Sequence, residues 1–141
     1  IPDSISDEQA AALLFKGLTA QYLLRKTYPV KPGDLVLVHA AAGGVGQILG
    51  QWAKGLGAIV IGTAGLAEKC ERARLAGADI AIDYSLGDWV KALLQATDGR
   101  QANVVYDSVG QSTFLHSLGD VVEMHRAAEA RETQGSVVMR P

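Results

Sequence analysis

Four consecutive apolar residues, Leu35 to Val38, run into the small-residue turn "HAAAGGVG", and a stretch with helical spacing follows as far as Leu56. An apolar run without alternation fits a strand buried on both faces, as in a parallel sheet. The pattern then repeats. Strands are expected at 34–40, 58–63, 80–84 and 103–108, with helices at 44–56, 66–76 and 87–97 between them. Strands alternating with helices argue for right-handed βαβ crossovers, so the fold class expected is α/β: a doubly wound, Rossmann-like parallel sheet ordered 3-2-1-4. Gly57, Gly77 and Gly99 stand where glycines close helices. In the helix after the turn, Ile48, Leu49, Trp52, Ala53 and Leu56 share one face, which makes Trp52 a core residue.

Before the first strand, "SDEQAAALLFKGLTAQYLLRKTY" reads as a helix capped by Ser6 and broken or re-aimed around Gly17, with Ala10, Leu13, Leu14 and Leu18 near helical spacing. After the fourth strand the chain reads as one or two helices ending near Thr133, then a short strand at 136–139. If that tail crosses over right-handed, its strand adds beside the fourth as a fifth, giving the order 3-2-1-4-5. The division expected is a dinucleotide-binding domain at 1–118 and a tail at 119–141.

Composition excludes several classes. A chain of 141 residues with 48% hydrophobic and 20% charged residues fits one globular domain. A formal net charge of -2 without a charged block gives no reason to expect nucleic acid or an anionic membrane as a partner. The single cysteine, Cys70, allows no internal disulfide and reads as a packing residue in a reducing, cytoplasmic setting. No Cys/His cluster has zinc spacing. No apolar run approaches the ~18 residues of a membrane span. A start at Ile1 rather than at methionine suggests an excised piece.

The glycine turn is where ligand chemistry is expected. After a strand and before a helix, backbone N–H groups and the positive end of the helix dipole converge on an anion. Ala41, Gly43 and Gly46 occupy the small-residue places of the G-x-G-x-x-G fingerprint, Ala41 departing from glycine. The expectation is that the amides flanking Gly43 to Gly46 stay free of internal partners and aim at a dinucleotide's diphosphate. A purely structural turn and a methyl-donor site are the alternatives.

An NAD site usually carries an acid at the end of the second strand, about 20 residues on. This chain has Thr63, Ala64 and Gly65 there, with Lys69 one turn into the next helix and Arg72 beyond it. Small residues without a carboxylate, beside a lysine, favour a 2′-phosphate and hence NADPH. A solvated helix lysine is the alternative for Lys69, whereas for Arg72 a solvated helix cation is the plainer reading. Tyr84 ends the third strand beside an expected adenine pocket. Asp107, Ser108 and Gly110 lie at the carboxyl end of the fourth, where Asp107 either meets a ligand or holds its own loop. His39 reads as buried, His116 and His125 as surface residues, and Ser108 lacks a G-x-S-x-G context, so no catalytic residue is assigned.

"HAAAGGVG", "QWAKGLGA", "GTAGLAEK", "VVYDSVG", "KGLTAQYLLRKTY" and the tail "HRAAEARETQGSVVMRP" together resemble the zinc-free quinone oxidoreductases of the medium-chain reductase superfamily, the group that includes zeta-crystallin. The resemblance covers almost the whole chain. It implies metal-free, NADPH-dependent reduction of quinones by a cytosolic homodimer. It implies that Gly44 and Val45 bind the pyrophosphate, and that Gly65 and Lys69 hold the 2′-phosphate. By the same likeness Tyr84 lies beside the adenosine, Ser108 further along the cofactor and Tyr22 near its nicotinamide side, while Arg131 reaches the adenosine phosphate. Two departures stand out: the family's barrel-like domain before this region is missing, and the chain passes from "FLHSL" to "GDVVEMHRAAEA" where the family continues through further elements. Two expectations follow, a reductase or its cofactor half, and a cofactor-binding module without turnover. A methyl-donor protein is less well served, since such sites generally want the acid missing here.

Overall fold

The computed structural model describes residues 2–117 and the backbone of Val137–Met139. Helix α1 spans Asp7–Gln21 and opens on a reciprocal cap: the Ser6 hydroxyl accepts the Gln9 N–H at 3.2 Å while the Gln9 side chain accepts the Ser6 N–H at 3.0 Å. The helix runs through Gly17 without a break, against expectation. Glycine lowers helix stability by ~1 kcal/mol but does not itself force a bend, and nothing packs near enough to Gly17 to impose one. The change comes later, where Tyr22–Thr27 form a π-helical turn.

The five strands are β1 Leu35–Val38, β2 Ile59–Ala64, β3 Ile80–Asp83, β4 Val104–Asp107 and β5 Val137–Met139, in the order β3-β2-β1-β4-β5. Helices α2 Gly44–Gly55, α3 Ala67–Leu75 and α4 Trp89–Ala96 connect β1 to β4 in turn, and a short α5, Phe114–His116, follows β4. The first four strands pair in parallel, with Val36 opposite Val60 and Val104. The 3-2-1-4 order read from the sequence is therefore the order formed.

Pleating sends successive side chains to opposite faces, and each face has its own helices. Val36, Val38, Val60, Val104 and Tyr106 meet Leu49 and Ala53 of α2, Ala73 of α3, the buried Ala20 near the end of α1, and Leu23 and Leu24 of the π-helical turn. Leu35, Leu37, Ile61, Ile82 and Val105 meet Trp89 and Leu93 of α4. All four residues of β1 are buried, which explains the unbroken apolar run at the centre of the sheet.

Several expectations shift. Trp52 is only partly buried, packing beside the core rather than within it. Leu13, Leu14 and Leu18 of α1 are exposed, so its burial comes from its C-terminal end instead. Gly57, Gly77 and Gly99 all follow their helices at positive φ, as expected, and after α4 Asp98 joins Gly99 there, at φ 53°. Strand β5 does add beside β4, yet antiparallel, with Tyr106 opposite Val138. A right-handed crossover joins parallel strands, so the parallel fifth strand expected for the tail is not the one formed. The tail helices to Thr133 and the 118/119 division lie outside the described residues.

Burial ranks the consequences of truncation. Leu37→Ala, at a fully buried position, is expected to cost about 2–5 kcal/mol in urea unfolding. Leu14→Ala, at a position 66% exposed, is expected to stay within about 0.5 kcal/mol of the parent.

Candidate cofactor site

Strand β1 ends at Val38, and within two residues the backbone turns sharply: Ala40 takes φ 51°, the left-handed region that costs an alanine about 1 kcal/mol. Its carbonyl then accepts the Gly43 N–H at 2.9 Å, and the Ala41 N–H donates to the Thr63 carbonyl at 3.0 Å. The Gly43 amide is thus taken up by the turn itself, contrary to expectation. Helix α2 begins with no side-chain cap, and its first bond across the turn is from the Gln47 N–H to the Gly43 carbonyl. The N–H groups of Gly44, Val45 and Gly46 have no acceptor among the described residues. Gly46 makes the geometry feasible, because a Cβ there would lie 2.5 Å from the Ala40 oxygen and 2.9 Å from the Ala41 Cα.

Beside the turn lies a cavity of about 170 Å³, bounded by Ala40, Ala42 and Gly43, by Ala64 and Gly65 after β2, by Lys69 and Arg72 of α3, and by Tyr84. Tyr84 opens a 3₁₀ turn, Tyr84–Leu86, rather than ending β3, and its ring crosses Gly65, where a Cβ would meet the phenol oxygen at 2.8 Å. Neither Lys69 nor Arg72 is paired with a carboxylate among the described residues, and no acid lines the cavity. Arg72 therefore belongs beside Lys69, one turn along the same helix face.

The other expected residues separate. Tyr22 is 60% exposed at the start of the π-helical turn, and Ser108 is exposed after β4; neither borders this cavity. Arg131 and His125 lie outside the described residues. Asp107 holds its own loop: it accepts the Val109 and Gly110 N–H groups at 2.8 and 2.9 Å and the Thr113 hydroxyl at 2.6 Å. Cys70 is buried, and burial pushes its thiol pKa up. Sequence reading missed Lys16 of α1, whose side chain lies against Gly44. No local pattern signals that approach, because it arises from α1 packing on α2.

Beneath the turn, His39 is 1% exposed, with Nδ1 2.8 Å from the Thr63 hydroxyl and Nε2 3.0 Å from that of Ser117. Its ring meets Trp89 nearly edge-on, at 4.9 Å between centroids. Burial drives its pKa down to about 4, with the Asp107 charge opposing. A neutral imidazole donates through one nitrogen and accepts through the other, so His39 ties β1 to the end of β2 and to the residue after α5.

Residues 44–122 match the family described as zinc-binding dehydrogenase. The chain belongs to this family. The resemblance to its quinone oxidoreductases also holds: quinone oxidoreductase 1 of Escherichia coli is 55% identical over 118 residues, which are 84% of this chain and 36% of that protein. The structure of the E. coli quinone oxidoreductase complexed with NADPH superposes with a TM-score of 0.82 at 53% identity, over 86% of this chain and 37% of that one. A 2-haloacrylate reductase of Burkholderia is 50% identical over 114 residues, 81% of this chain and 34% of that protein. The chain thus spans little more than a third of the length of these dehydrogenase-family relatives. Among the described residues, no group of three or more His, Cys, Asp or Glu could hold a metal ion, and no helix is long and apolar enough to cross a membrane.

The low pKa of His39 makes a signed prediction. Its folded value lies below the ordinary 6.5, so the unfolded chain binds the proton first as pH falls. The His39 contribution to stability is complete above about pH 6.5 and is lost towards pH 4. Between pH 7.5 and 5 the unfolding free energy is expected to drop by about 2 kcal/mol, and His39→Gln to flatten that slope in urea titrations at several pH values.

Proposed function

We propose that this chain is the NADPH-holding portion of a zinc-independent quinone oxidoreductase. One observation carries the reading: the uncapped α2 turn adjoins a cavity that holds two cations without a carboxylate. Those residues fit the group. The Gly44, Val45 and Gly46 amides would take the diphosphate, as helix N-termini take anions. Lys69 and Arg72 would meet the 2′-phosphate, and the Tyr84 ring, for which Gly65 leaves room, would flank the adenosine. Ser108, Tyr22 and Arg131 are carried into this reading by resemblance.

When bound, the reduced nicotinamide supplies the hydride, with a quinone as its acceptor. The protein's part is to orient and to exclude water. Asp107 fixes the loop after β4 and His39 the floor under the turn, so the binding amides sit on a rigid frame. Quinone as substrate, a homodimeric parent enzyme and a cytoplasmic setting belong to the same proposal.

A second reading, cofactor binding without turnover, is favoured by the surface of α1. Leu13, Leu14 and Leu18 join Ile5 and Trp52 along an apolar groove of about 820 Å³, which suits cover by another domain. Quinone-dependent loss of reduced-nicotinamide absorbance separates the two: turnover supports the reductase, and tight NADPH binding without it supports the module. In binding titrations NADPH is expected to exceed NADH, and Lys69→Ala to remove ten- to hundredfold of that preference, the worth of a charged hydrogen bond at about 1.5–3 kcal/mol. An unchanged ratio would place the 2′-phosphate elsewhere.

A further inference from the structure

Lys16 belongs to α1, yet its side chain ends at the first residue of α2. A Cβ on Gly44 would come within 2.8 Å of the Lys16 Cε, 3.0 Å of Cδ and 3.2 Å of Nζ. Lys16 is an exposed residue whose side chain reaches over Gly44. Gly46 is the glycine that the turn requires sterically, because its neighbours are backbone atoms, whereas the contact at Gly44 is with the flexible end of a lysine.

The charge is the unexpected part. The first residue of α2 marks the positive end of that helix, where a cation is disfavoured. No carboxylate pairs with the Lys16 ammonium among the described residues, so nothing nearby offsets that repulsion. The ammonium lies against Gly44, the first of three residues, Gly44, Val45 and Gly46, whose amides are donors without an acceptor among the described residues. Donors and a cation brought together around one point are complementary to a single kind of group, an anion with several acceptor oxygens.

We propose that Lys16 is a diphosphate-binding residue, its ammonium closing over the anion that the α2 amides hold from the other side. The inference rests on the dinucleotide reading above and adds a residue from a different helix to it. The diphosphate is common to NADPH and NADH, so Lys16 strengthens both equally, whereas Lys69 and Arg72 act on the 2′-phosphate alone. Affinity and cofactor choice are thereby assigned to different cations.

The test is a pair of substitutions read by titration with NADPH and with NADH. Lys16→Gln is expected to weaken both about tenfold and leave their ratio unchanged, and Lys16→Arg to restore most of the loss. In the free protein, Lys16→Gln is expected to leave the melting temperature equal or slightly higher, because a cation has been removed from a positive pole. The NADPH-induced rise in melting temperature should shrink. A purely structural lysine would show the opposite, a lower melting temperature with unchanged affinities. Parent-like affinities in Lys16→Gln would overturn the proposal while leaving the cofactor reading intact, and a shift in the NADPH/NADH ratio alone would overturn it by moving Lys16 to the 2′-phosphate. Failure of the unsubstituted chain to bind either nucleotide would remove both readings together.

Discussion

The close passage of α2 over the end of β1 governs the rest of the site. The Ala40 carbonyl is turned inward by a left-handed residue, where it accepts the Gly43 N–H, and Gly46 passes so near to it that any side chain would collide. This hook fixes where the helix begins and removes one amide from use. The next three amides then point away from internal acceptors. A longer or looser turn would let those groups find partners within the chain, since buried backbone donors seldom stay unpaired when an acceptor is in reach. The strain at Ala40 is thus inseparable from the open amides, and the unbroken burial of β1 anchors both.

Charge around this turn follows the opposite rule from ordinary helix design. Helices usually gather acids at their starts and bases at their ends. α1 obeys, with Asp7 and Glu8 in its first turn, whereas α2 has no acid in its first turn and receives Lys16 from outside. α3 opens with Glu68 in the ordinary way, yet Lys69 beside it lines a cavity without an acid. The Lys16 placement raises the free energy of the empty protein slightly, and a bound anion would relieve it. Two cations of the described residues do pair with carboxylates, Lys54 with Asp79 and Arg74 with Glu71, and neither pair lines the cavity.

What could be read from the sequence was whatever rests on periodicity and local sterics. Buried strands announced themselves by unbroken apolar runs, and alternation with helices gave the sheet order. The space required at Gly46 and the missing acid after β2 were legible for the same reason, since each follows from one position's chemistry. The errors lie where tertiary packing decides. Gly17 predicted a break that no neighbour enforces, and the helical spacing of Leu13, Leu14 and Leu18 gave the helix but not their exposure among the described residues. Apolar spacing cannot say whether a partner surface is present. Strand direction in β5 depends on how the chain returns to the sheet, which a short apolar segment does not encode. Lys16 was invisible because its meaning comes from a different helix.

The relatives separate what this stretch does from what it leaves to the rest of an enzyme. Proteins named for a quinone and for a 2-haloacrylate match nearly the same residues of this chain, at 55% and 50% identity. If these residues chose the acceptor, two such different acceptors should have pulled the shared stretch apart. The similarity is instead what a common cofactor would impose: a diphosphate needs the same hooked turn whatever receives the hydride. Among the described residues the site offers donors, cations and one aromatic face, all suited to a nucleotide, and no acid that could serve an acceptor's protonation within the cavity. On the proposed reading, acceptor choice falls to parts of an enzyme beyond this cavity, and the residues from Ala40 to Tyr84 supply a cofactor-binding surface.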